Sequence, residues 1–194
     1  MLILGHRGAS KAHPENTLQA FAAAYEGGAQ GLEFDVRADA NGVPVLSHDR
    51  SLERRAGDPR NVDELTVEEL KTFDVGNGYR IPTLAETLEL CGGRGFLDIE
   101  VKQAGIEQAV LTELAGYRGA WAISSFDWSS LAAFRKLDPN VELWLLAMQF
   151  NDALFDTARQ IAAKGVAMHH SQLNEASVSS TRGRGLGVLA WTVN

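Results

Sequence analysis

Cysteine is almost missing from this chain: Cys91 is its only one. A single thiol excludes an intrachain disulfide and a multi-cysteine zinc site, and it suits a core position in a reducing compartment. Long apolar runs are missing too. The longest, residues 20–25 and 143–148, are six residues each, whereas a bilayer-spanning helix needs about 20. Met1-Leu2-Ile3-Leu4 passes directly into Gly5-His6-Arg7, leaving no room for the basic and apolar regions of a signal peptide. A soluble, cytoplasmic protein without a transmembrane segment is expected. Basic residues form no cluster larger than a pair such as Arg54-Arg55, and the formal net charge is −7. Nucleic acid and anionic membrane are therefore not the expected partners, and an anionic substrate must meet a local positive site. What is there reads as an ordinary globular chain, 45% hydrophobic and 22% charged with 19 glycines against 5 prolines. No repeat or linker divides its 194 residues. At roughly 150 residues per domain, one domain over 1–194 is expected.

Eight β-type runs recur: Leu2 to Gly5, Gly31 to Arg37, Val43 to His48, Gly95 to Lys102, Trp121 to Ser125, Val141 to Ala147, Gly165 to His169 and Gly187 to Val193. Most are separated by helical spacing, such as Leu18, Phe21, Ala22 and Tyr25, or Leu154, Phe155, Ala158, Ile161 and Ala162. Thr83 with Glu86 forms a capping box, Asp127 and Asn151 can cap the next two helices, and Gly27 and Gly165 can close helices in a left-handed turn. Alternating strand and helix predicts an α/β fold with a parallel sheet, and eight strands predict a (β/α)8 barrel of the TIM type. The alternation is interrupted twice. Asp39-Ala40-Asn41-Gly42 is too short for a helix and reads as a turn, and the polar stretch from about 49 to 81 reads as a lid-like insertion with a short helix opened by Thr66 and Glu69. Because the sequence stops directly after the eighth run, a barrel lacking its final C-terminal helix is expected, and with it either self-association or marginal stability.

Two strands carry charge on one face. In Gly31-Leu32-Glu33-Phe34-Asp35-Val36-Arg37 the period of two separates Glu33, Asp35 and Arg37 from the apolar set, and Leu97-Asp98-Ile99-Glu100-Val101-Lys102 repeats the arrangement. An antiparallel sheet would simply turn such a face to water. A parallel barrel covers both faces, so the charges must gather at the carboxyl ends of the strands, where Glu33, Asp35 and Glu100 can converge. Carboxylates about 4 Å apart repel by roughly 4 kcal/mol per pair at an effective dielectric of about 20, so the cluster needs a cation or must take up protons. Three oxygen donors suit a hard divalent ion. His6 and His48 sit at strand ends and titrate near neutrality, which fits either an acid/base pair or two structural residues. His13, His169 and His170 read as loop or rim residues.

Several ordered motifs resemble the glycerophosphodiester phosphodiesterase family: Gly5-His6-Arg7-Gly8-Ala9 with Pro14-Glu15-Asn16-Thr17, Glu33-Phe34-Asp35-Val36, Leu46-Ser47-His48-Asp49, Ile81-Pro82-Thr83-Leu84, Asp98-Ile99-Glu100-Val101-Lys102, Ser125-Phe126 and Trp191-Thr192-Val193-Asn194. The resemblance spans the whole chain. It implies a (β/α)8 barrel, one divalent cation such as Mg²⁺ or Ca²⁺, and hydrolysis of a small-molecule glycerophosphodiester to glycerol 3-phosphate and an alcohol. It further implies His6 and His48 as the acid/base pair, Glu33, Asp35 and Glu100 as metal ligands, and Arg7 and Lys102 as phosphate contacts. Phe126 and Trp191 would form an apolar wall for glycerol or the leaving group, although both also fit a barrel core. Glu15, Asn16 and Thr17 would open the first helix and brace the His6 loop. Two rival readings remain at this point: a lipid-directed phosphodiesterase of the phospholipase C or sphingomyelinase D type, and a catalytically silent barrel that binds phosphometabolites.

Overall fold

The computed structural model describes residues 1–193; Asn194, the last residue of the final motif, lies outside them. The chain divides into two compact units, residues 1–121 and 122–194.

In the first unit β1 (Leu4–His6) runs parallel to β2 (Gly31–Ala38), and β2 runs parallel to β4 (Phe96–Val101). Leu32, Phe34 and Val36 of β2 and Leu97 and Ile99 of β4 are fully buried, as the alternation predicts. β3 (Pro44–Leu46) departs from the expected parallel sheet, pairing antiparallel with β2 through the register Val36 to Leu46. The reason is the connection. A parallel return requires a crossover of a dozen or so residues, and the tight turn at 39–42 supports only a hairpin. Asp39 fixes that turn, its Oδ1 accepting the Asn41 and Val43 N–H groups at 2.8 Å each while Oδ2 accepts from Val67.

The segment after β3 carries α2 (Glu53–Ala56), a 3₁₀ turn (Val62–Glu64) and α3 (Val67–Leu70). Thr66 and Glu69 cap α3 reciprocally, as their spacing predicts. Leu52, Val62, Leu65, Leu70, Val75 and Ile81 bury themselves around Val45 of β3, so this stretch has an apolar cluster of its own. That packing gives α2 a fixed platform beside the carboxyl end of β3.

α1 (Leu18–Glu26) is capped by Thr17, whose hydroxyl accepts from Ala20 N at 3.2 Å, and α4 (Leu84–Cys91) by the Thr83–Glu86 box. Gly27 does not take the left-handed conformation (φ −74°); Gly28 does (φ 90°). Cys91 fills the core. The turn after β1 depends on Gly8, at φ 81°, where an added Cβ would lie 2.6 Å from the Ala20 carbonyl carbon. Gly8→Ala should therefore cost about 2–3 kcal/mol through backbone strain and overpacking. Denaturant titration measures the loss, and a wild-type midpoint would contradict the packing account.

In the second unit, β5 (Ala120–Ser125), which starts at the boundary, pairs parallel with β6 (Leu143–Ala147). β6 pairs parallel with β7 (Gly165–His169), and β7 with β8 (Gly187–Trp191). α5 (Glu107–Leu114) belongs to the first unit, ahead of β5, and between the strands of the second unit run α6 (Trp128–Leu137), α7 (Asp152–Gln160) and α8 (Glu175–Gly183). Asp127 and Asn151 cap α6 and α7 as expected. Gly165 does not close a helix. It opens β7, and the left-handed residue is Ala162, at φ 50°. Glycine is required at 165 for packing instead, since a Cβ there would meet the Trp144 ring at 2.5 Å and the Gly187 carbonyl oxygen at 2.6 Å.

Candidate active site

The carboxyl ends of β1, β2 and β4 bring charged side chains together because the register sets Glu33 of β2 opposite His6 on one side and Asp98 on the other, and Asp35 opposite Glu100. Glu33, Asp35 and Glu100 each present a carboxylate oxygen within 4.8 Å of the others. Asp35 is fully buried and Glu100 nearly so. Burial, followed by the charges of Asp35, Asp98 and Glu100, pushes the Glu33 carboxyl well above its ordinary range. Burial and then Asp35 push Glu100 up to about 7, against the pull of Lys102.

Two cations reach this cluster. Lys102 Nζ lies 2.7 Å from Glu100 Oε1 and 3.7 Å from Asp35 Oδ1. Arg7 pairs its Nε with Asp35 Oδ2 at 3.0 Å and its Nη1 with Glu15 Oε2 at 3.4 Å. The Arg7 backbone adopts φ 55°, and its N–H donates to the Glu33 carboxylate at 3.0 Å. The turn that follows His6 is thus tied directly to the carboxylate cluster.

His6 ends β1 with Nε2 3.7 Å from Glu33 Oε2, and burial followed by the neighbouring Arg7 lowers its pKa. His48 lies just beyond β3, and its Nδ1 is 2.7 Å from Asp49 Oδ1. Hydrogen bonds from Arg54 and His48 hold the Asp49 carboxyl below its usual range despite the opposing effect of burial. An ionised carboxylate only accepts, so the Nδ1 of His48 carries the proton and Nε2 is its working nitrogen.

Four further residues belong to this setting. Asn16 is fully buried, donates to Asp35 Oδ2 at 2.8 Å and accepts from the Asp35 N–H at 3.3 Å. Arg37 donates Nε and Nη2 to the His48 carbonyl at 3.1 and 3.0 Å, and Nη1 to the Lys102 carbonyl at 3.2 Å. Asp98 is a further buried carboxylate, and Asp49 orients His48. The alternation in residues 97–102 contains the signal for Asp98, and adjacency to His48 that for Asp49. The Asn16–Asp35 pair has no sequence signal.

Phe126 and Trp191 belong to the second unit and meet edge to face with ring centroids 5.6 Å apart. Phe126 is exposed, which is not a core position. His169 packs on Trp191 at 5.1 Å and on His170 at 4.3 Å, and its Nδ1 is 2.8 Å from Ser171 Oγ. His13 lies beside Tyr79. Among the described residues, no helix is long and apolar enough to cross a membrane.

Strand-end carboxylates with basic and imidazole groups around them, on parallel strands alternating with helices, are the arrangement of an enzyme site in the TIM-barrel class of α/β proteins. The sequence profile of the Glycerophosphoryl diester phosphodiesterase family matches residues 6–194, and the chain belongs to that family. The glycerophosphodiester phosphodiesterase of Caldanaerobacter subterraneus subsp. tengcongensis is 33% identical over 208 residues, covering 100% of this chain and 86% of the relative. Among solved structures, an Oleispira antarctica phosphodiesterase in complex with the product sn-glycerol-3-phosphate superposes with a TM-score of 0.93 at 28% identity, covering 100% of this chain and 85% of that one. The glycerophosphodiester phosphodiesterase of Thermotoga maritima gives 0.83 at 30% identity, covering 100% and 86%.

Proposed function

We propose that this chain hydrolyses glycerophosphodiesters to glycerol 3-phosphate and an alcohol. The observation that carries the reading is the convergence of Glu33, Asp35 and Glu100 beside Arg7 and Lys102. The product bound to the Oleispira antarctica relative supports glycerol 3-phosphate as the product here. Glu33, Asp35 and Glu100 would hold one divalent cation, Mg²⁺ or Ca²⁺. The donor set fits, because all three ligands are carboxylates whose oxygens crowd within 4.8 Å, and burial first, then the neighbouring carboxylates, raise Glu33 and Glu100. When bound, such an ion supplies Lewis-acid stabilisation of charge on phosphate oxygens.

The remaining work falls to side chains. Arg7 and Lys102 contact the phosphate oxygens and orient the diester. His6, whose burial and Arg7 neighbour favour the neutral ring, accepts the proton of the attacking glycerol 2-hydroxyl. His48, backed by Asp49, donates a proton from Nε2 to the leaving alkoxide as the headgroup P–O bond breaks and a cyclic phosphate forms. Water then opens the ring, giving its proton to His48, while His6 returns its proton to the 2-oxygen. Phe126 and Trp191 offer an apolar wall to glycerol or the leaving group. The family match runs through both units, which supports taking 1–194 as one phosphodiesterase domain with residues 49–81 as a lid-like insertion. A cytoplasmic setting fits the single buried Cys91.

The test is release of glycerol 3-phosphate from glycerophosphocholine, glycerophosphoethanolamine and glycerophosphoglycerol in the presence of Mg²⁺ or Ca²⁺. Release from at least one is expected, and none from all three would overturn the reading.

A further inference from the structure

The ring of His48 is held by a chain of charges that extends beyond the residues given a role in the hydrolysis. Asp49 Oδ1 meets His48 Nδ1, Asp49 Oδ2 accepts from Arg54 Nε, and Arg54 Nη2 reaches Glu15 Oε1. The other Glu15 oxygen is engaged by Arg7. Arg54 therefore joins two carboxylates that are distant in sequence, Asp49 on the His48 ring and Glu15 on the Arg7 guanidinium. We propose that Arg54 is a positioning residue that fixes the Asp49 carboxylate and, through it, the orientation and tautomer of the His48 ring. The proposal rests on the acid/base reading of His48 given above.

Two observations separate this role from ordinary surface pairing. First, Arg37 already anchors the His48 backbone through its carbonyl, so the backbone needs no help from Arg54; the ring's orientation depends on the Asp49 carboxylate. Arg50, next to Asp49 in sequence, pairs with Asp63 instead, and Arg54 is the ion-pair partner of the outer Asp49 oxygen. Second, the Arg54 side chain is 54% exposed while Glu15 and Asp49 are 19% and 28% exposed. Exposed ion pairs add little to stability, so losing this guanidinium should spare the fold. Arg54 can also bridge where lysine cannot, because its planar fork presents Nε to one carboxylate and Nη2 to the other. Its place in α2 is set by Leu52 and Ala56, which pack into the apolar cluster around Val45.

Arg54→Met should lower kcat on a glycerophosphodiester by about tenfold or more, the scale of a misplaced reacting group, with KM changed less than about twofold. Arg54→Lys should recover part of the loss, and it covers the case in which the methionine variant fails to fold. Added to Asp49→Asn, Arg54→Met should cause little further loss, because it acts through Asp49. Nitrogen NMR of the labelled histidine rings supplies a readout that needs no turnover: wild type should show His48 protonated at Nδ1, and Arg54→Met a mixture of tautomers. An unchanged kcat, an unchanged tautomer, or losses that multiply in the double variant would each overturn the proposal. If wild type turned over no glycerophosphodiester, the functional reading would fail while the ring tautomer still decided the role of Arg54.

Discussion

Turnover is expected to vanish when divalent cations are chelated and to return with Mg²⁺ or Ca²⁺. Glu33, Asp35 and Glu100 crowd their oxygens within 4.8 Å, and among the described residues Arg7 and Lys102 pair with the cluster as cations. Stability should report the same imbalance. Glu100 is raised from 4.5 to about 7, so between those pH values the folded protein binds more protons than the unfolded chain and stability falls as pH rises. The penalty at pH 8 without a cation is on the order of 3 kcal/mol. Glu33 acts in the same direction. His6, lowered from 6.5, acts oppositely but only below about that value, so the window from pH 6.5 to about 7 isolates the carboxylates. Thermal melts in chelator should decline across that window, and saturating divalent cation should flatten the decline. Glu100→Gln removes one buried charge without removing volume. It should melt above wild type at pH 8 in chelator and gain less from added cation. Full activity in excess chelator would refute the metal assignment.

His6→Ala and His48→Ala should each lower kcat by roughly 10²- to 10⁴-fold, the usual contribution of acid/base catalysis. Neither ring is a core element: each sits at a strand end and is only partly buried. Folding should therefore survive both substitutions, and the loss should appear in turnover. The double variant should lose much less than the product of the two, because the rings act on one phosphorus as a unit. A single variant with near wild-type kcat would reduce that histidine to a structural role.

Much of this arrangement is local in origin, and to that extent legible in the sequence. The period of two in residues 31–37 and 97–102 places Glu33, Asp35 and Glu100 on strands, and parallel pairing of β2 with β4 then makes Asp35 and Glu100 neighbours. Capping boxes such as Thr83–Glu86 and Thr66–Glu69 close within four residues, so their energies are already present in the local sequence. The strand direction of β3 was legible only in part: residues 39–42 read as a turn, yet the hairpin that such a turn imposes appears only in the pairing of Val36 with Leu46. Tertiary structure alone decided the Asn16–Asp35 hydrogen bonds, the hold of Arg37 on His48 and Lys102, and the bridge from Arg54 to Glu15. These contacts span 11 to 65 residues. Hydropathy period and cap spacing encode the energies of near neighbours, whereas which distant polar groups meet is set by how α1, α2 and the strands pack, and burial then makes those meetings obligatory.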